Sequence, residues 1–312
     1  MATTQQRVEE QAGLAATETT THRSLRQDVW RQFKKHKGAV VGLFLLAIIV
    51  FATIFGPIIY GVDPYATNTA IANAGPSVSH PLGTDNLGRD VLARTLVGGR
   101  ISLAVGFAAM LFGLVLGTAI GILSGFFRKL DGPLMRLTDL FLALPILPLL
   151  LVIIMLWREP LKDAFGEELG IFLLVVFIIG VTSWMQTARV VRGDVLSLKE
   201  EEFVLAANSI GTRKRNVIFR HILPNTLSPV MVSAALGVAV AIITESALSF
   251  LGLGFPASFP TWGRLLFDGN PYLQLSPLRT IVPGLLISLT VMSVNFIGDG
   301  LRDALDPRLR SK

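Results

Sequence analysis

The sequence predicts an all-α polytopic membrane protein with six transmembrane helices and both termini in the cytoplasm. Three observations predict it. First, the 312 residues are 51% apolar and only 16% charged. A soluble domain carries roughly 25% charged residues, so lipid must cover what charge does not. Second, six charge-free runs (38–62, 101–127, 140–157, 169–188, 222–244 and 280–298) meet or approach the ~20 residues a spanning helix needs. Third, Lys and Arg are unevenly divided between the gaps. With the N-terminus inside, segments 1–37, 128–139, 189–221 and 299–312 hold 21 of them, and 63–100, 158–168 and 245–279 hold 7. That bias sets the orientation.

Composition also excludes chemistry. There is no cysteine, so disulfides and thiolate sites are absent. His22, His36, His80 and His221 are scattered without ligand spacing, and no metal site is expected. The net charge of +6 lies in the gaps between apolar runs and not in one stripe, which argues for topology and against nucleic acid. The P-loop, HExxH and GxSxG patterns are missing, so no catalytic residue and no nucleotide site is expected in this chain.

Residues 1–37 read as a polar cytoplasmic tail, disordered to about residue 23. From about residue 24, Leu25, Val29 and Phe33 recur among Arg26, Arg31, Lys34 and Lys35. The pattern fits an amphipathic helix at the headgroup level or a solvated basic lead-in to the first span. The first run is longer than the roughly 7–15 residues of a signal-peptide core and is expected to stay as an anchor. Residues 38–298 form the six-helix domain, and 299–312 a cytoplasmic C-terminal tail.

The loop at 63–100 opens with turn residues and then allows a short helix in LGRDVLARTLVGG, with Asp90 and Arg94 as an i,i+4 pair. The second run carries Gly113, Gly117, Gly121 and Gly125, each four residues apart. Tight helix packing is favoured for them over a substrate-lining role. Pro145 and Pro148 are expected to kink the third span. Glu245 lies 24 residues beyond His221, about 36 Å of helix, and is expected at the outer boundary; a proton relay is the alternative. The loop from 251 to 279 is longer than a simple connection and suits docking or a lid over a pathway.

The basic stretch LAANSIGTRKRNVIFRHILPN, 205–225, interrupts the apolar runs. Phe203, Ala206, Ala207 and Ile210 fall at helical spacing, Gly211 turns the chain, and Thr212 suits the N-cap of a second short helix. Pro224 ends it. Physics alone leaves two readings: a pair of helices resting on the inner leaflet, or a surface for a partner.

The stretch resembles the EAA loop of ABC importer permeases, with matches at Ala206, Ala207, Gly211, Leu223 and Pro224. Leu205 stands where that family carries glutamate, and His221 where it often has isoleucine; Glu201 and Glu202, one turn upstream, are the candidates to replace the acid. HPLGTDNLGRDVLARTLVGGRISL, TESALSFLGLGFP followed by TWG, and IGDGLRDALDPRLR resemble the peptide/nickel branch, second ("C-type") subunit.

The resemblance implies a permease of an ATP-driven importer in the prokaryotic inner membrane, with peptides as first choice of cargo and nickel or oligosaccharides as alternatives. It implies a coupling loop at 189–224, with Leu205, Ala206, Ala207, Asn208, Ile210, Gly211, Thr212 and Arg213 as the ATPase-docking residues. It also implies a homologous second permease, two ATPase subunits holding ATP and Mg, and an extracytoplasmic binding protein. An ion-coupled secondary transporter and a membrane scaffold are the readings from other classes.

Overall fold

The computed structural model describes residues 25–305, which carry eleven α-helices and no strand beyond one isolated bridge between Thr84 and Asp90. The polar tail expected before residue 24 and the last seven residues lie outside the described residues. The helices are α1 (Leu25–Lys35), α2 (Lys37–Tyr60), α3 (Val91–Phe126), α4 (Arg128–Ala143), α5 (Ile146–Phe165) and α6 (Glu167–Leu198). Then come α7 (Glu202–Ser209), α8 (Lys214–Val217), α9 (Leu227–Phe250), α10 (Trp262–Gly269) and α11 (Leu278–Leu305). Five of them, α2, α3, α6, α9 and α11, are long and apolar enough to cross a membrane; α4 and α5 together make a sixth candidate, bent by 90°. Phe44, Ile48, Phe51, Phe55, Ile58 and Ile59 of α2 are exposed, a surface that suits lipid and not water.

The third span differs from expectation. It is one bent pair and not a single helix at 140–157. Pro145 lacks an N–H and holds Leu144 extended, at φ −76° and ψ 138°, so α4 stops there. Pro148 does not kink anything: it sits in the first turn of α5, where no intrahelical donor is missed. Helix α5 then continues to Phe165 through residues expected to be loop, and Gly166, at φ +83°, joins it directly to α6.

The short helix expected in the first long loop is not separate. It is the start of α3, a continuous helix of 36 residues, about 54 Å long. Asp90 and Arg94 do not pair. Asp90 caps α3 by accepting from the Ala93 N–H (2.7 Å) and binds His80 Nδ1 (2.7 Å) and the Tyr60 hydroxyl (2.9 Å). Helix α1 forms, but Phe33 is buried against α11 beside Ala39 and Ala304, so its apolar side packs on protein. The fifth span starts five residues late, at Leu227, because residues 218–222 form a π turn.

Helices α3 and α6 make the most extensive contact in the chain. The four glycines of α3 face α6. A Cβ at Gly117 would stand 2.6 Å from the Trp184 carbonyl oxygen, at Gly121 2.7 Å from that of Ala188, and at Gly125 2.8 Å from Val195 Cβ. At Gly113 it would collide with the Ser183 hydroxyl. The backbone of α6 therefore occupies the volume that side chains on α3 would fill. Helix α9 packs on α3, α5 on α6, and α11 on α2 and α9.

Gly121→Leu is expected to lower stability by about 1–3 kcal/mol, because the α6 backbone cannot yield as a side chain would. Gly193→Ala, on the open face of α6 with nothing within 4 Å, should be neutral or gain up to about 1 kcal/mol. Thermal unfolding of the purified chain in detergent checks both.

Candidate functional site

Helices α7 and α8 form a turn at the base of α3, α6 and α9. Val204, Ala207, Val217 and Ile222 are buried there against Val191, Val195, Ile122 and Val230. Lys199 Nζ, between α6 and α7, donates to the carbonyl of Gly125 at the end of α3 (3.2 Å). Arg192 grips Asp131 with two hydrogen bonds and so ties α4 to α6. The turn is thus rooted in the membrane helices and does not hang from a free loop.

Its other face is open. Leu205 is 47% exposed and Ile210 84% exposed, beside exposed Phe203 and Phe219. Ala206, Asn208, Gly211 and Arg213 are exposed as well. Gly211 holds φ +78° at the tip, and a side chain added there would meet nothing within 4 Å. That backbone, and not crowding, is what favours glycine there. Ala207 points inward, and Thr212 is half-buried. Thr212 is not the N-cap of α8; Arg213 takes that place without a side-chain cap bond. The turn is instead held by the Thr212 N–H donating to the Ala207 carbonyl (3.1 Å). The exposed apolar side chains sit among Arg213, Lys214, Arg215 and Arg220. Solvent alone does not explain that combination. A π turn at 218–222, with the Leu223 N–H donating to the Ile218 carbonyl (2.8 Å), carries the chain into α9.

The opposite end of the bundle holds what sequence reasoning missed. Glu245 lies in the last two turns of α9 and is fully buried there. It accepts from Ser249 Oγ (2.7 Å) and from Ser102 Oγ of α3 (3.2 Å). Ser102 Oγ in turn accepts the Trp262 N–H at the start of α10 (3.1 Å), and the Trp262 indole N–H donates to the Thr95 carbonyl (3.0 Å). Glu245 therefore anchors α10 to α3 and α9. No histidine or second acid hydrogen bonds to it among the described residues. The sequence signal was Glu245 with Ser246 and Ser249 on one segment, opposite a serine in another span.

Among known proteins, residues 113–311 match the family described as binding-protein-dependent transport system inner membrane component. Residues 24–76 match the N-terminal TM domain of oligopeptide transport permease C. The chain is 39% identical over 286 residues to a dipeptide transport system permease protein of Alkalihalophilus pseudofirmus, covering 91% of this chain and 90% of that one. It is 40% identical over 288 residues to an oligopeptide transport system permease protein of Bacillus subtilis, covering 92% and 91%. A glutathione transport system permease protein of Pectobacterium atrosepticum is 37% identical over 290 residues, covering 91% and 92%. In fold the chain is similar to one from the MetNI methionine ABC transporter in inward facing conformations, with a TM-score of 0.54 at 17% identity, covering 68% of this chain and 97% of that one.

Glu245→Ala is expected to cost about 1–3 kcal/mol, since it strands the buried Ser102 and Ser249 hydroxyls. Glu245→Gln keeps an acceptor and should cost less. The check is thermal unfolding together with trypsin cleavage after Arg264 in α10, which should speed up in the alanine variant.

Proposed function

The chain belongs to the family of binding-protein-dependent transport system inner membrane components, and from that membership we propose that it is the peptide-carrying permease subunit of an ABC importer in the prokaryotic inner membrane. The observation that carries the reading is the α7–Gly211–α8 turn, apolar and exposed at its tip yet rooted on α3, α6 and α9. A surface of that kind receives force from a partner and passes it to the helices behind it.

In this reading the partner is one of two ATPase subunits, which hold ATP and Mg. Phe203, Leu205, Ala206, Asn208, Ile210, Gly211 and Arg213 meet it. Ala207 and Thr212 support the turn from behind. A homologous permease completes the pathway, and a binding protein delivers cargo to the end that carries α10. Both termini and the turn face the cytoplasm, as the distribution of Lys and Arg indicates. ATP-driven closure of the ATPases moves the turn, and the glycine-packed α3–α6 pair follows as one body. No residue of this chain performs covalent chemistry. Peptide is favoured over nickel or oligosaccharide because the relatives reported above are named for dipeptide, oligopeptide and glutathione.

Where the EAA loop that this stretch resembles carries an acid, Leu205 adds apolar area to the docking face. Ile210→Asp places a charge at the centre of that face and is expected to weaken ATPase binding by about 2 kcal/mol or more, roughly 30-fold. Co-purification of the ATPase and ATP-dependent uptake of a labelled peptide should both fall, while the thermal stability of the permease holds. Undiminished co-purification and uptake would show that the turn is not the docking surface.

A further inference from the structure

At the α10 end, four guanidinium groups converge on two carboxylates. Arg89, Arg94 and Arg279 are buried, and Arg264 stands beside them. Asp85 is taken by Arg89 (Nε to Oδ2, 2.7 Å) and by the Leu87 and Arg89 N–H groups on Oδ1. Arg264 Nε lies 2.9 Å from Asp268 Oδ1. Arg94 is left between them, 3.9 Å from Asp85 and 3.8 Å from Asp268, with only the Ala257 carbonyl as a close partner (3.1 Å). Arg279 donates to Asn73 Oδ1 (3.0 Å) and the Thr84 carbonyl, and forms no ion pair with an acid among the described residues. Asp90 cannot help, because His80, Tyr60 and the α3 cap occupy it.

The cluster therefore holds two positive charges more than negative ones, and three of its four guanidinium groups are buried. Arg94, 1% exposed, has no partner for Nη1, and Arg279, 4% exposed, has none for Nε. Both line one cavity, walled by Asp85, Val91, Leu265, Asp268 and Gly269. Its volume of about 20 Å³ admits a single water-sized particle. Water would satisfy the donors and leave the surplus charge uncompensated.

We propose that this cavity binds one small monatomic anion, such as chloride, which sits between Arg94 and Arg279, offsets one of the two surplus charges and locks the loop before α3 to α10 and α11. Asp268 Oδ2, also without a hydrogen bond, faces the same cluster and opposes the anion. The inference is independent of the transport reading.

The test uses the full chain purified in detergent and sodium gluconate, titrated at constant ionic strength with sodium chloride or sodium bromide. Binding to the folded state alone should raise the unfolding temperature in a saturable, halide-specific way. Arg279→Gln should abolish the rise. Asp268→Asn, which removes the opposing charge, should lower the midpoint by about tenfold or more. Crystals grown in bromide should show an anomalous peak between Arg94 and Arg279. Equal responses to gluconate and halide would overturn the proposal, as would a water in place of the peak. So would a halide effect that survives Arg279→Gln. Should that variant fail to fold, an unchanged midpoint in Asp268→Asn overturns it as well.

Discussion

One contact sets the geometry of this molecule: the backbone of α6 lying along the face of α3 where four side chains are missing. In lipid there is little hydrophobic gain from pressing two apolar helices together, so dispersion at short range and close backbone approach must do it. From Gly113 to Gly125 the contact runs for about 18 Å. Helix α3 is unbroken, so the same rod reaches from the Asp90 cap at one end to the α7–α8 turn at the other. The remaining helices attach to this pair: α5 to α6, α9 to α3, and α11 to α9 and α2.

The two ends of the rod are built on opposite principles. At the α7–α8 end the buried side is apolar and small, and the exposed side carries apolar residues among cations. At the α10 end, charge has been drawn inward. Glu245 is satisfied by serine hydroxyls, Asp90 by a histidine, a tyrosine and a helix cap, and Arg89 by Asp85. Trp262 closes this end because Gly99 leaves its indole room: a Cβ at Gly99 would stand 2.7 Å from Trp262 Cζ2. Gly263 likewise allows α10 to lie on Ser246.

Spans that are apolar all round announce themselves by length and lack of charge, and α2, α3, α6, α9 and α11 were legible for that reason. The order of helix, glycine turn and helix around Gly211 was legible too, since a change of period and a glycine are local signals. What failed depended on partners far away in the chain. Asp90 and Arg94 have the right spacing to pair, but each has a stronger claim from outside its own helix, Asp90 from His80 and the cap, Arg94 from residues near 257 and 268. Glu245 was placed by counting residues from His221, which gives depth but not surroundings. Ser102 is 143 residues away, and nothing local reports it. The two prolines of the third span looked equivalent in the sequence. Position within the helix made one a break and the other harmless.

The single-residue joint at Gly166 makes α5 and α6 one closed hairpin. Helices α5 and α6 share no loop, so a displacement of either one at this end is carried directly to the other. Leu161 and Lys162 press so closely on Gly170 that no side chain fits between them. Helix α6 in turn rests on the glycine face of α3, so α5 is tied through it to the longest helix of the bundle.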